Sequence, residues 1–447
     1  MKELGKIPTG KIQRAMKFAT TGAKVGGNYV SHYSKKLIDP KRPRTELEEA
    51  NAQEIYQSLS ELKGSALKAA QMISMNPDWL PAAYRQKFSL SQYSAPPLSY
   101  PLVVKTFMEE LGKEPTMIFD EFSRNAVNAA SIGQVHLARR GEQKLAVKVQ
   151  YPGVGDSVMT DLKMVRPLAI RLLNVNGKEL DHFMDEVAVK MLEETDYGLE
   201  LSRSLEISAA CRHLEGIDFP EYYPELSAKR VLTMDWLDGE HLREFLKRKP
   251  DQALLDLIGQ RLWDCFHFQI HHLRKLHADP HPGNFLFRED GSIGILDFGC
   301  VKEIPDDFYT NYFSLVRQDL LDPENLDARD DLFSRMGFLY DHDDAEQRKF
   351  FTQFFIGMIE LLARPFHADR FYFGDRTYFD EIYAFGERVR RDRDLRDNKT
   401  VRGRKDAIYI DRTYFGLYHI LHDLNATIKV TKPAWLQEAG ASQASAG

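Results

Sequence analysis

The sequence predicts an α+β chain of two lobes, and three observations carry that reading. Short apolar runs separated by turn residues crowd between residues 115 and 150, where the hydrophobic period is that of strands. From residue 242 onward the spacing is mainly helical, and strands first with helices later describe α+β packing. At 447 residues the chain is too long for one ordinary core. Hydrophobic residues at 43% and charged residues at 28% exclude a disordered, collagen-like or coiled-coil chain. Cys211, Cys265 and Cys300 are too few and scattered for a disulfide framework or a cysteine metal site, which points to a reducing compartment such as the cytoplasm. The longest apolar stretch, 350–363, is interrupted by Thr352, Gln353 and Glu360, so no spanning helix is expected.

The net charge of −6 is unevenly spread. Residues 1–44 hold 11 Lys and Arg against Glu3 and Asp39, a basic leader on an acidic body. Such a leader suggests an anionic partner, a membrane surface or a nucleic acid. It lacks the continuous apolar run of a signal peptide. Ile12, Met16, Phe18 and Ala19 among its lysines allow either a short amphipathic helix lying on anionic lipid or a solvated tail. Pro40 and Pro43 read as a linker, and residues 45–75 as a helix opened by a Thr45–Glu48 capping box and stopped before Pro77. Pro96, Pro97 and Pro101 mark a loop ahead of a second helix over 102–111.

Three antiparallel strands are expected at 118–122, 133–138 and 145–149, then helices at 158–174 and 180–214, and a strand at 230–236. Two more short strands are expected at 284–287 and 294–296. The charged segment 388–405 reads as a solvated loop, and 426–447 as a tail with a disordered end.

The densest chemistry lies at His277-Ala278-Asp279-Pro280-His281-Pro282-Gly283-Asn284, followed by Asp297-Phe298-Gly299. An Asp, an Asn five later and an Asp-Phe-Gly beyond a hairpin is the pattern of kinase-type phosphoryl transfer, in which the protein positions groups and neutralises phosphate charge. Asn284 and Asp297 offer the hard oxygen ligands that suit magnesium, and Asp279 stands where a substrate hydroxyl loses its proton. His277 and His281 are four apart, but Pro280 and Pro282 exclude a regular helix, so structural histidines are expected. Lys148, within Ala-Val-Lys-Val (146–149), sits on a strand fit for burial and therefore needs a partner. Glu194, Asp196 and Glu200 are the candidates. Where a kinase carries its glycine-rich phosphate loop this chain reads Asn128, Ala129, Ala130, Ser131, Ile132, Gly133 and Gln134. Only Gly133 remains to allow unusual backbone angles, unlike an ordinary protein kinase.

Ala-Ala-Ser-Ile-Gly-Gln-Val-His (129–136), Ala-Val-Lys-Val-Gln-Tyr-Pro-Gly (146–153) and His-Ala-Asp-Pro-His-Pro-Gly-Asn (277–284) resemble the UbiB/ADCK (aarF-domain) atypical kinase-like family. Leu-Thr-Met-Asp-Trp-Leu-Asp-Gly (232–239) is similar to its hinge segment, so Met234, Asp235, Trp236 and Leu237 would meet adenine. The resemblance covers roughly residues 5–425. It implies a bilobal protein-kinase-like fold with an N-terminal helical extension over 45–114, an N-lobe with a helical insert over 115–240 and a helical C-lobe over 241–425. It implies that Glu200 pairs with Lys148. It also implies that Lys68 and Gln71, in a Lys-x-Gly-Gln-like motif, act with Glu194 and Asp196 of Glu-x-Asp as gating residues. Ala70 replaces the motif glycine and Asn128 replaces the usual first alanine of the loop.

By that resemblance the chain is expected to be an ATP- or ADP-binding, magnesium-dependent ATPase supporting isoprenoid-quinone biosynthesis or lipid-intermediate handling. It would be attached peripherally to an anionic membrane, near quinone-biosynthesis enzymes and without nucleic acid. A phosphotransferase acting on a small molecule, lipid or protein, and a non-catalytic nucleotide-gated scaffold, are the alternatives. The oligomeric state is not legible.

Overall fold

A computed structural model describes residues 11–38, 44–62, 98–130, 132–173, 177–321, 323–391 and 402–430. Among them the first of two units takes residues up to Leu205 and Pro220–Trp236, and the second takes Glu206–Phe219 and the chain from Leu237. Lys68, Gln71 and Ser131 lie outside the described residues, as do the first ten residues of the leader and the end of the expected tail.

In the first unit residues 11–38 of the leader form one continuous helix, α1 (Lys11–Ile38), followed by α2 (Arg44–Leu62). The tail alternative is thus replaced by a packed helix: Val25, with Phe18 and Tyr29, joins Ile55 and Leu59 of α2 in an apolar core. Helices α3 (Tyr100–Leu111) and α4 (Pro115–Ile118) lead into β1 (Glu121–Phe122), β2 (Asn128–Ala129), β3 (Gly133–Arg140) and β4 (Gln143–Gln150). Helix α4 takes the start of the first expected strand because Pro115 at its first turn presets a helical φ. Helices α5 (Val154–Leu173) and α6 (Gly177–Glu194) complete the helical core with Val158, Leu162, Met184 and Val187.

The long helix expected over 180–214 is broken in two. The carboxylate of Asp196 accepts from the backbone N–H of Gly198 at 3.0 Å and of Leu199 at 3.2 Å, which caps a new helix, α7 (Tyr197–Cys211). Past β5 (Ile217–Asp218), which belongs to the second unit, β6 (Val231–Asp235) returns to the sheet of the first. That sheet runs β1-β3-β4-β6, antiparallel throughout, with β2 also paired to β3. Val147, Val149 and Val231 share one face of the sheet, and with Leu232 they belong to an apolar core that includes Val103 and Phe107 of α3.

The second unit opens with α8 (Leu242–Lys247) and α9 (Gln252–Phe268). Helix α9 ends in a π-turn over Gln269–Leu273, and Arg274 (φ 56°) turns the chain into β7 (Lys275–His277). β8 (Phe285–Phe287) and β9 (Ile293–Ile295) form a hairpin flanked by β5, and β10 (Val301–Glu303) pairs with β7. The remainder comprises α10 (Asp306–Ser314), α11 (Leu326–Arg335), α12 (Ala345–Ala363), β11 (Arg370–Tyr372), α13 (Arg376–Arg391), α14 (Lys405–Asp423) and β12 (Thr427–Lys429).

Two expectations are corrected here. The segment 388–405 is not simply a solvated loop, because its start belongs to α13 and the Arg402 side chain is only 7% exposed. Arg402 bonds both carboxylate oxygens of Asp343, at 2.8 and 2.5 Å, and its guanidinium lies 3.4 Å from the Phe351 ring centroid. A paired, stacked guanidinium tolerates burial that a lone one would not. The tail does not begin at 426 either, since Ala426 and Ile428 are buried and β12 pairs with β11. No described helix is long and apolar enough to cross a membrane.

Candidate functional site

In the first unit the site is built on β4 and the corner between α6 and α7. Lys148 and Gln150 are two apart on β4 and share a face. Lys148 Nζ donates to Glu200 Oε1 at 2.8 Å and Oε2 at 3.0 Å. Gln150 Nε2 donates to the carbonyl of Thr195 at 3.0 Å, a second stitch that the sequence reading missed. Both charged side chains are buried, Lys148 at 10% and Glu200 at 2% side-chain exposure, so each needs the other. Glu194, at the end of α6, is buried, while the Asp196 carboxylate is occupied in capping α7.

The nucleotide-type loop is the β2–β3 turn. Ala130 N–H donates to Gly133 O at 2.9 Å, and Asn128 opposes Val135 while Ala129 opposes Gln134. Gly133 is not there for a positive φ, contrary to expectation; it is absent from the positive-φ glycines. Its reason is space: a Cβ would lie 2.4 Å from Val149 O and 2.7 Å from the Tyr197 hydroxyl. Ile132 is buried in the sheet core. Gln134 is turned inward: its Oε1 accepts from Leu98 N–H at 2.6 Å, and its Nε2 meets His136 Nε2 at 2.8 Å. His136 Nδ1 faces Ser123 O, and burial holds this imidazole below its usual pKa, so it is the neutral tautomer that accepts from Gln134. The Gln134 side chain is therefore a strut for the loop rather than a nucleotide ligand.

At the hinge-like segment, the N–H groups of Asp235 and Trp236 already donate to Glu221 O at 2.8 Å and Lys144 O at 3.0 Å. Met234 is buried opposite Ala146, and Leu237 is where the chain re-enters the second unit. Those two backbone donors are therefore already spent within the first unit.

In the second unit three local pairings gather Asp279, Asn284 and Asp297. Gln269 Oε1 accepts from His277 N–H at 2.9 Å, fixing β7, and Ala278 N–H donates to Cys300 O at 2.9 Å, which brings Asp279 beside the Asp-Phe-Gly segment. Leu296 N–H donates to Asn284 O at 3.0 Å, setting Asp297 one residue away from that register. Asn284 Nδ2 donates to Asp279 O at 2.9 Å, so its amide oxygen is the atom left to present. Asp297 Oδ1 accepts from Gly299 N–H at 2.6 Å, and Phe298 is buried against His277 and Phe219 at ring separations of 5.4 and 5.7 Å. His281 Nδ1 accepts from Gly283 N–H at 3.0 Å, a turn-stabilising role rather than a ligating one.

Sequence reasoning also missed Arg412. On α14 its Nη2 donates to Asp279 Oδ1 at 2.7 Å, with both side chains largely buried. Gly416, four residues on and on the same face, lets the helix approach: a Cβ there would lie 2.5 Å from Pro280 Cγ. A mid-helix glycine at 416 was the signal that something presses close.

No group of three or more metal-ligating side chains occurs among the described residues. Asn284 and Asp297 nonetheless fit magnesium by donor chemistry, since that ion takes one or two protein oxygens and fills its octahedron with phosphate and water.

An antiparallel sheet with a helix glutamate on its buried lysine, followed by an Asp/Asn/Asp-Phe-Gly constellation, defines a kinase-like protein. More narrowly, the chain belongs to the ABC1 atypical kinase-like family, whose domain matches residues 90–325. It is 32% identical over 306 residues to an uncharacterized chloroplastic aarF domain-containing protein kinase of Arabidopsis thaliana, covering 66% of this chain and 43% of that protein. It is 25% identical over 386 residues to the mitochondrial atypical kinase COQ8 of Saccharomyces cerevisiae, covering 84% of this chain and 75% of that one. With AarF domain-containing protein kinase 1 of Xenopus tropicalis it shares 30% identity over 262 residues, 57% of this chain and 50% of the relative. The chain thus spans about half the length of several curated relatives it matches. Among solved structures, that of Rv3197 with erythromycin from Mycobacterium tuberculosis superposes with a TM-score of 0.58 at 26% identity, covering 86% of this chain and 95% of that one.

Proposed function

We propose that this chain is an atypical kinase-like ATPase that binds Mg-ATP and couples its hydrolysis to lipid-intermediate handling at a membrane surface, in support of isoprenoid-quinone biosynthesis. The observation that carries the proposal is the buried Lys148–Glu200 pair: a lysine held by a helix glutamate is how kinases present an ammonium to nucleotide phosphates. Family membership and the gathering of Asp279, Asn284 and Asp297 support the same reading. Lys148 binds phosphate oxygens, Asn284 and Asp297 hold the metal, and Asp279, fixed in orientation by Arg412, positions the attacking oxygen. Bound magnesium would supply charge neutralisation of the phosphates.

The membrane part of the proposal rests on α1. Its inward face is spent on the helical core, while Met16, Val30 and Tyr33 are exposed along with Lys35 and Lys36. Each basic residue near an anionic surface contributes about 1 kcal/mol. Because deleting α1 would uncover Ile55 and Leu59, charge reversal is the cleaner test. Phosphate release is measured with and without anionic liposomes and a quinone-precursor mimic, for the parent and for Lys35→Glu/Lys36→Glu. Lipid-stimulated release that the reversal weakens is expected. Transfer of label to a substrate would make the chain a phosphotransferase, and tight nucleotide binding without turnover would make it a scaffold; either overturns the ATPase reading.

A further inference from the structure

Tyr197 is fully buried at the first turn of α7, three residues before Glu200, so the two side chains leave the helix on one face. That face meets Lys148 twice. Glu200 takes the ammonium through both carboxylate oxygens, and the Tyr197 ring lies with its centroid 5.0 Å from Lys148 Nζ. The far end of the same ring reaches the loop, where its hydroxyl sits 2.7 Å from the position a Cβ on Gly133 would occupy. Tyr197 is itself fixed from behind, since its N–H donates to Lys229 O at 3.0 Å, and Gln150 ties the preceding Thr195 carbonyl to β4. A single rigid aromatic side chain therefore spans from the ammonium to the turn of the alanine loop.

We propose that Tyr197 is a positioning residue for nucleotide phosphate: it holds the Lys148 ammonium from the ring face and sets the height of the β2–β3 turn through Gly133. The inference rests on the Mg-ATP reading of this site and deepens it. The physical reason lies in the geometry of Lys148. Glu200 fixes only where the charge is held, whereas a ring beneath a largely desolvated ammonium restricts the directions in which it can move. The hydroxyl meanwhile explains the glycine, because any larger residue at 133 would have to displace both the ring and the carbonyl of Val149. A tyrosine here thus makes loop position and lysine position one variable.

The test uses the full chain and two readouts. Mg-ATP affinity is measured with a fluorescent ATP analogue for the parent, Tyr197→Leu, Tyr197→Phe, Lys148→Ala and Lys148→Ala/Tyr197→Leu. A ring over a desolvated ammonium corresponds to about a 3- to 30-fold loss on removal. Tyr197→Leu is expected to weaken binding by that factor, Tyr197→Phe to recover most of it, and Tyr197→Leu to cost clearly less once Lys148 is gone. An equal loss from Tyr197→Leu with and without Lys148 would mean a merely structural role and would overturn the proposal. The second readout is thermal unfolding without nucleotide for the same set. There the combined loss in Tm must fall short of the sum of the single losses, and additivity overturns the ring–ammonium contact whether or not nucleotide binds. If the parent binds no nucleotide while the unfolding losses are coupled, the Mg-ATP reading fails and the contact stands by itself.

Discussion

Replacing Glu200 by Gln strands Lys148 in the interior, and the cost follows from the geometry. The ammonium is 10% exposed and its carboxylate partner 2%, with N–O distances of 2.8 and 3.0 Å. At an effective dielectric near 20 the gross attraction across such a gap is about 6 kcal/mol, much of it offset by the desolvation of both ions. Removing one partner leaves the desolvation of the other uncompensated, which destabilises by about 3–5 kcal/mol. Lys148→Met should cost a similar amount. The double variant Lys148→Met/Glu200→Leu strands no charge and should lose less than either single change. Urea unfolding of all four proteins, followed by circular dichroism, measures the cycle. Single variants within about 1 kcal/mol of the parent, or losses that simply add, would refute the claim that this is a buried, mutually dependent pair.

Three further outcomes follow from the geometry. Burial holds the Asp411 carboxyl up at about 6 despite its contact with the Tyr312 hydroxyl, so folding is favoured below the ordinary carboxylate range and loses that stability as pH rises through 6. Asp411→Asn should therefore gain on the parent by up to about 3 kcal/mol between pH 4 and pH 7.5 in thermal unfolding, and a constant difference across that range would contradict the assignment. Asp196→Ala removes the cap of α7 and should cost about 1 kcal/mol by chemical denaturation. Arg412→Ala releases Asp279 and should lower the rate of phosphate release about 10- to 100-fold while changing Mg-ATP affinity little, as steady-state kinetics would show.

What the sequence made legible was mostly what one element decides by itself. The strands at 133–140, 143–150 and 231–235 follow from apolar runs between turn residues, and the partner of Lys148 was among three named acids. What it hid depends on contacts between distant segments. The break at Asp196 was invisible because charged residues suit both a helix surface and a cap, and the choice was made by a carboxylate turning onto the N–H groups of Gly198 and Leu199. Gly133 was read through backbone angles, whereas the Val149 carbonyl and the Tyr197 hydroxyl decide it, the latter 64 residues away. Arg412 lies 133 residues from Asp279, and no spacing rule links them. Arg402 looked solvated for the same reason: its carboxylate partner, Asp343, is 59 residues upstream.

In the proposed function Lys148 binds nucleotide phosphate, and Asn284 and Asp297 hold the metal that accompanies it. Titrating the full chain with a fluorescent ATP analogue, with and without magnesium, tests it against Asp297→Asn, which removes the one carboxylate assigned to the metal. Tight, magnesium-dependent binding by the parent and loss of the magnesium dependence in the variant are expected. Equal binding of Mg-ATP by both proteins, or no binding by the parent, would contradict it.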